Sequence, residues 1–456
     1  MRTIIRNGTV VNADAAIRAD VLIGDGRILR VAPDIREVAD ETTDAAGCYV
    51  LPGLIDTHTH FDLDLGITKT ADDFVTGTRA ALLGGTTTVL DFATQDRGMT
   101  MRDAFDLWSG KARGASCNYG FHMAVSEWNG ARIAEVDEMI QNGVTSFKMY
   151  MVYPNMMVSD GDIYRALKLT AEKDCLIGVH CENFSVLTER IDELHAAGEY
   201  GPTAHPKARP NAVEAEGVAR LMRIAELADA PAWVVHLSTR EGLEEARRAR
   251  KRGQEVYLET CPQYLVLDEA CYAEPDGEKF IMSPPLRGEA DRRALLEALH
   301  TGEIDFTGTD HCSFTLEQKA LGGGDFACVP NGGAGVENRL QLIYTYAVET
   351  GYLTPEKLVR ATSEQAARLF GMYPRKGVIA EGADADITVY SPHGESTLSH
   401  RTNHHNCDNS PFEGIRVHGR TKDVFVNGVH AVRNGALCVT GAGRYVHRGK
   451  SERTRR

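Results

Sequence analysis

The apolar run Leu51-Pro52-Gly53-Leu54-Ile55-Asp56-Thr57 leads into His58-Thr59-His60. If residues 54–60 are extended, side chains alternate between faces, and the two imidazoles point the same way. Two imidazoles so placed can grip one cation from a rigid edge. Four further strand-like runs each close on one residue able to bind metal or move a proton. Lys148 follows Val144-Thr145-Ser146-Phe147, and His180 follows Leu176-Ile177-Gly178-Val179. His236 follows Trp233-Val234-Val235, and Asp310 follows Phe306-Thr307-Gly308-Thr309. Each has an ordinary reading on its own: a hydrogen-bonded histidine, a lysine that snorkels to water, an aspartate that caps the next helix. Their shared position at run ends asks for a shared explanation.

Four imidazoles and a carboxylate suit borderline divalent metals, zinc first among them. The set exceeds the needs of one tetrahedral zinc, so two ions are expected. A pair of ions roughly 3.5–4 Å apart needs an anionic bridge, which an ammonium cannot provide. A lysine buried beside dications loses its proton readily, because desolvation and like charge both depress its pKa. The neutral amine of Lys148 can then add carbon dioxide, and the resulting N6-carboxylysine is a carboxylate on a long stem. His122, His311 and Cys312 are read as structural.

Positioning these residues requires a particular rhythm of elements. Helical stretches at 74–83, 133–142, 162–173, 213–227, 240–252 and 291–299 alternate with extended runs at 86–91, 144–150, 175–180, 232–237, 255–259 and 304–308. Repeated βα units of this length imply a parallel sheet clad in helices. About eight such units between residues 54 and 370 predict an α/β fold of the (β/α)8 TIM-like barrel type, whose chemistry sits at the C-terminal ends of the strands. The two ends of the chain differ from this middle. Asn7-Gly8, Gly24-Asp25-Gly26, Asn427-Gly428 and Asn434-Gly435 each separate short β-rich runs, as in hairpins. Neither end has strands enough for a core, so residues 1–53 and 377–440 are expected to form one small β-sandwich domain around a 54–376 barrel. The Gly-broken basic tail, 441–456, is read either as a mobile end or as an arm docking on a neighbouring subunit.

Composition sets outer limits. The 456-residue chain carries a net charge of −14, which disfavours nucleic acid and anionic membrane as partners. No apolar run is long enough to span a bilayer, and the N-terminus meets a turn signal before any signal-peptide core could form. Ten scattered cysteines without a C-x-x-C pair fit a reducing, cytoplasmic setting.

Longer stretches carry a resemblance. They are 53–61, Gly84-Gly85-Thr86-Thr87, Ser146-Phe147-Lys148-Met149-Tyr150-Met151-Val152-Tyr153, Val179-His180-Cys181-Glu182-Asn183 and Val235-His236-Leu237-Ser238. Further along come 259–265, Ser283-Pro284-Pro285-Leu286-Arg287, Gly308-Thr309-Asp310-His311-Cys312 and Pro330-Asn331-Gly332. Together they resemble the dihydropyrimidinase/hydantoinase family of the amidohydrolase superfamily over nearly the whole chain. The resemblance implies hydrolysis of a small cyclic ureide or diamide, a dihydropyrimidine or 5-substituted hydantoin, to an N-carbamoyl amino acid. It assigns His58, His60 and Asp310 to the more buried of two metal ions and His180 and His236 to the other, with carbamylated Lys148 between them. Asp310 would be the general base, Tyr153 would bond the developing oxyanion, and backbone groups at Ser283 and Asn331 would hold the ring amide. A homotetramer, a dimer of dimers, is implied in the same way. Relatives acting on other rings, such as allantoinases and dihydroorotases, would share the metals. Dihydroorotases, however, carry an arginine two residues after the second histidine, where this chain has Asp62. A non-catalytic scaffold on the same fold would have lost ligands that are all present here.

Selectivity among rings must come from side chains near the ring substituent, expected on loops after the barrel strands. Leu63 and Leu65 after the first strand, Phe92 after the second, and Val152, Met156 and Met157 beside Tyr153 are the candidates. They form an apolar set whose methionines adapt to varied shapes.

Overall fold

The computed structural model describes residues 1–453. Eight parallel strands form one sheet in chain order: β1 (Leu54–Thr59), β2 (Thr86–Gln95), β3 (Asn118–Val125), β4 (Ser146–Tyr150), β5 (Leu176–His180), β6 (Ala232–Val234), β7 (Val256–Thr260) and β8 (Phe306–Thr307). The sheet closes between β8 and β1. The His60 amide donates to the His311 carbonyl at 2.8 Å, and the Thr309 amide and hydroxyl both donate to the Asp56 carboxylate. Helices on the outside start at capping side chains. Asp73 caps Phe74–Leu83, Ser159 caps Asp160–Glu172 and Thr239 caps Arg240–Lys251.

The barrel floor is a packed apolar layer of Ile55, Leu90, Leu176, Trp233, Tyr257 and Phe306, plugged from below by Phe370 and Val446. Gly178 in β5 leaves room for the Trp233 indole; a methyl group there would stand 2.5 Å from a ring carbon. This floor separates the strand ends that carry the candidate residues from solvent beneath.

The termini build two further sheets. One has four strands from residues 2–44, and the other has seven, combining 9–18 and 49–52 with 387–437. Their facing side chains, among them Ile5, Val21, Ile23, Val50, Ile387, Val389 and Phe425, form a separate core, a small β-sandwich beside the barrel. Three of the four expected hairpins form, at Asp25-Gly26, Asn427-Gly428 and Asn434-Gly435, with every one of these residues at positive φ. The hairpin expected at Asn7-Gly8 does not. Asn7 adopts φ 65°, but strand Arg2–Arg6 pairs in one sheet and Thr9–Val11 in the other. The turn there passes the chain between layers.

The C-terminal segment, read as a mobile end or an intersubunit arm, runs along the underside of its own barrel. The Val446 amide donates to Tyr119, Gly449 to Gly371 and Glu452 to Arg368. Arg448 is buried and donates to Ser146 Oγ at 2.7 Å and to the Phe121 carbonyl.

Candidate active site

All six candidate ligands lie at the C-terminal rim of the barrel, on β1, β4 and β5 and just beyond β1, β6 and β8. His58 Nε2 and His60 Nε2 stand 3.2 and 3.1 Å from the same oxygen, Asp310 Oδ1. Donor atoms of His58, His236 and Asp310 all fall within 4.8 Å of one another. The His236 ring centre is 5.3 Å from that of His58 and 4.5 Å from that of His180. Lys148, 1% exposed, sends its ammonium between the Phe92 and Tyr150 rings, 5.2 and 5.0 Å from their centres. Among the described residues no carboxylate lies within ion-pair distance of it.

Burial dominates the electrostatics. It pushes the imidazoles of His58 and His236 well below their ordinary pKa, so both are neutral and offer a lone pair. It pushes Lys148 down to about 8, against the opposing pull of Asp310 and Glu259. Burial would raise the Asp310 carboxyl, but positive charge placed among His58, His60 and His236, a shared proton or a bound cation, lowers it by more.

These groups fit a divalent cation. His58 Nδ1 is 2.6 Å from Glu259 Oε1, and a proton shared there leaves the Nε2 lone pair aimed at the Asp310 carboxylate. Two such acceptors repel unless a cation sits between them. Two ligands each ~2.1 Å from a tetrahedral zinc stand roughly 3.4 Å apart, close to the separations seen. Among the described residues, His236 Nδ1 is buried without a hydrogen-bond partner. His180 Nε2 is bonded to Glu182 at 2.6 Å, leaving its other ring nitrogen for a ligand, and Arg209 steadies Glu182 at 2.6 Å. Carboxylates that orient ligand histidines in this way are common around metals. Glu259, Glu182 and Arg209 were not singled out from sequence, although Glu259 and Glu182 lie inside the stretches that carry the resemblance.

Backbone strain marks the same rim. Positive φ is ordinary for Asn and Asp in turns but costly for larger residues. Tyr153 (φ 70°) and His236 (φ 38°) are the two described residues that are neither Gly, Asn nor Asp and adopt it, and Asp310 (φ 53°) joins them. Strand-to-loop bends there aim the side chains inward.

Around the rim, the Tyr153 ring meets His180 edge-on at 5.3 Å, and burial raises its phenol pKa, keeping the hydroxyl a proton donor. Ser283 Oγ donates to Asn331 Oδ1 at 2.7 Å, so the two segments meet. Phe92 does not lie on a loop, because β2 continues to Gln95. The ring is buried against His58 and His60, with centres 4.5 and 5.0 Å away. Val152 is likewise buried in the main core, whereas Leu63, Met156 and Met157 are half-buried and Leu65 is exposed. Arg97, on the loop after β2, bonds the carbonyls of Asn155 and Met157 and so ties two rim loops together.

Comparison with known proteins agrees with this geometry. Residues 49–430 match the model of the amidohydrolase family. The chain is 45% identical to a D-hydantoinase of Streptomyces coelicolor, covering 94% of this chain and 93% of the relative. It is 40% identical to a D-phenylhydantoinase of Escherichia coli, covering 98% of each. The crystal structure of a dihydropyrimidinase from Brevibacillus agri superposes with a TM-score of 0.98 over all of both chains at 41% identity. Sequence, barrel and rim thus lead to one assignment: the chain belongs to the amidohydrolase family and, within it, to the hydantoinase and dihydropyrimidinase group of cyclic amidohydrolases.

Proposed function

We propose that the chain opens the ring amide of 5-substituted hydantoins and dihydropyrimidines, giving N-carbamoyl amino acids. The observation that carries this reading is the convergence of His58, His60 and His236 on Asp310 at the rim of a hydantoinase-like barrel. Zinc suits the donor set: His58, His60 and Asp310 would hold one ion, His180 and His236 a second, and Lys148, as N6-carboxylysine, would supply an anionic ligand. Such a pair supplies Lewis acidity and water of lowered pKa.

The chain's own groups do the rest. Asp310, ionised and facing the imidazoles, takes the proton of the attacking water and passes it to the leaving ring nitrogen. Tyr153 donates to the oxyanion as it develops, where a preorganised donor contributes most. Ser283 and Asn331 hold the ring amide through their backbone, and the buried walls exclude competing water. Leu63, Leu65, Met156 and Met157 are assigned to the side of the ring substituent, with Phe92 beneath the imidazoles and Val152 packed in the core behind them. The relative named a D-phenylhydantoinase supports bulky substituents. Ten free thiols support a reducing, cytoplasmic setting; a homotetramer is proposed on the family resemblance alone, and sedimentation at four chain masses would bear it out.

The deciding experiment compares rates on dihydrouracil, hydantoin and phenylhydantoin for zinc-loaded enzyme. Turnover of at least one to its N-carbamoyl product is expected. Inactivity on all three, with turnover of allantoin or dihydroorotate, overturns the reading.

A further inference from the structure

Lys319 has no part in the chemistry above, yet its amino group is buried one segment away; burial pushes its pKa down to about 7, and the three carbonyls around it favour the protonated form. It ends the short helix Leu316–Lys319 and is 2% exposed. Its ammonium donates to three backbone carbonyls: Ile281 at 2.8 Å, Pro330 at 2.7 Å and Gly332 at 2.7 Å. Those three donors exhaust what an ammonium has. The acceptors belong to two segments far apart in sequence, 281–283 and 330–332, which carry Ser283 and Asn331. Other bonds hold the ends of the two segments: the Ile281 amide donates to the Glu278 carbonyl at 3.1 Å, the Tyr264 hydroxyl to the Pro284 carbonyl at 2.7 Å and the Cys312 amide to the Gly333 carbonyl at 3.1 Å. The Gly332 amide donates to Ile281 at 3.0 Å, Ser283 meets Asn331, and His205 Nε2 bonds the Met282 carbonyl at 2.8 Å. Gly332 has φ 145°, and a Cβ there would stand 2.3 Å from the Cys312 carbonyl oxygen, so only glycine fits at that point of the segment.

The geometry points to Lys319 as a positioning residue for the substrate amide clamp. One ammonium draws both clamp segments onto a common point and sets the separation of the backbone groups at Ser283 and Asn331. This inference rests on the assignment of those two residues to substrate binding. Charge-assisted bonds to neutral carbonyls are about twice as strong as neutral ones, and an apolar side chain at 319 leaves three buried carbonyls seeking new partners. The clamp would then open or twist without disturbing the imidazoles. The adjacent Gln318 serves as a contrast. Its carboxamide bonds Thr68 Oγ1 and the Lys69 carbonyl on a different loop, not the clamp.

The test compares the intact chain with Lys319→Met, both loaded with zinc to equal content. Steady-state kinetics on unsubstituted hydantoin are paired with amide hydrogen exchange of peptides covering 281–286 and 330–335. KM is expected to rise roughly tenfold or more while kcat changes by less than about threefold, the signature of lost binding and not of lost chemistry. Exchange should quicken in both peptides and stay unchanged in 54–60 and 176–180. Gln318→Ala should leave exchange in the two clamp peptides at the wild-type rate. If Lys319→Met does not accumulate as folded protein, Lys319→Gln carries the same test, since a carboxamide keeps two donors on a shorter stem. Wild-type KM in the variant, or exchange quickened evenly across the barrel, overturns the inference and leaves Lys319 a core cation. A wild-type chain that opens no cyclic diamide overturns the functional reading instead, and the exchange data still decide whether Lys319 fixes these segments.

Discussion

At the scale of single residues, burial sorts the rim into groups that keep a charge and groups that give one up. Lys148, pushed down to about 8, is poised to lose its proton, whereas a guanidinium in its place would stay charged and form no carbamate. Lys148→Ala and Lys148→Arg should therefore both lose most activity, with partial recovery of the alanine variant by a small added carboxylate; an active arginine variant rules out the carbamate. Asp310→Asn should keep substantial metal yet lower kcat by ~10²–10⁴, the usual worth of a general base. Near-normal turnover would move that role elsewhere. Glu259→Ala removes the acceptor that fixes the His58 ring. Losing a partner of this kind typically weakens metal affinity ~10–100-fold, measurable by competition with a chelator, while wild-type affinity would make Glu259 a bystander.

At the scale of elements, the barrel was legible in the sequence because each βα unit repeats a short apolar run, a turn and an amphipathic helix, and helix Phe74–Leu83 falls where its pattern places it. Legibility failed where a local signal has a non-local partner. Asn7-Gly8 encodes a positive-φ turn but not which sheet receives the next strand. The tail shows no period at all, since its partners are a mixture of backbone carbonyls and single side chains such as Ser146 and Asp174. Lys319 is invisible for the same reason: three carbonyls leave no trace in side-chain types. The tail's docking has a measurable consequence. Arg448 bonds Ser146 Oγ, Ser146 Oγ meets His122 Nδ1 at 2.5 Å, and His122 Nε2 meets the Thr57 carbonyl at 3.1 Å, so the tail is tied through β4 and β3 to β1. Arg448→Met should cost about 2–4 kcal/mol, given the worth of hydrogen bonds to charged groups, read as a lower urea midpoint. An unchanged midpoint would mean that the tail adds nothing to the barrel.

At the scale of the molecule, the six proposed ligands come from five parts of the barrel, so metal binding should tighten the whole rim. A ligand that binds only the folded state at a thousandfold excess over its Kd stabilises by ~4 kcal/mol. Chelation should accordingly lower the melting temperature and zinc restore it, with elemental analysis finding about two ions per chain; folded protein with reproducibly no metal would favour a non-catalytic scaffold. Substrate choice is also a property of the assembled rim. In the proposed reading the catalytic groups contact only the ring amide, which all candidate substrates share, so discrimination falls to loops brought together from separate strands. Phe92 and Val152 are buried within the protein, which leaves Leu65 and Met157 the better placed to meet a ring substituent. The Leu65 loop is held at Thr68 and Lys69 by Gln318, and the Met157 carbonyl is held by Arg97. Trimming either side chain should thus remove contact without collapsing its loop. A pocket gains only ~1–3 kcal/mol per methylene, so preference should be graded. Leu65→Ala and Met157→Ala are each expected to lower the phenylhydantoin-to-dihydrouracil ratio of kcat/KM by about tenfold with metal content unchanged. Val152→Ala, by contrast, should chiefly cost stability, because it opens a cavity in the core. Equal changes on both substrates in the two rim variants would place the specificity pocket on another part of the rim.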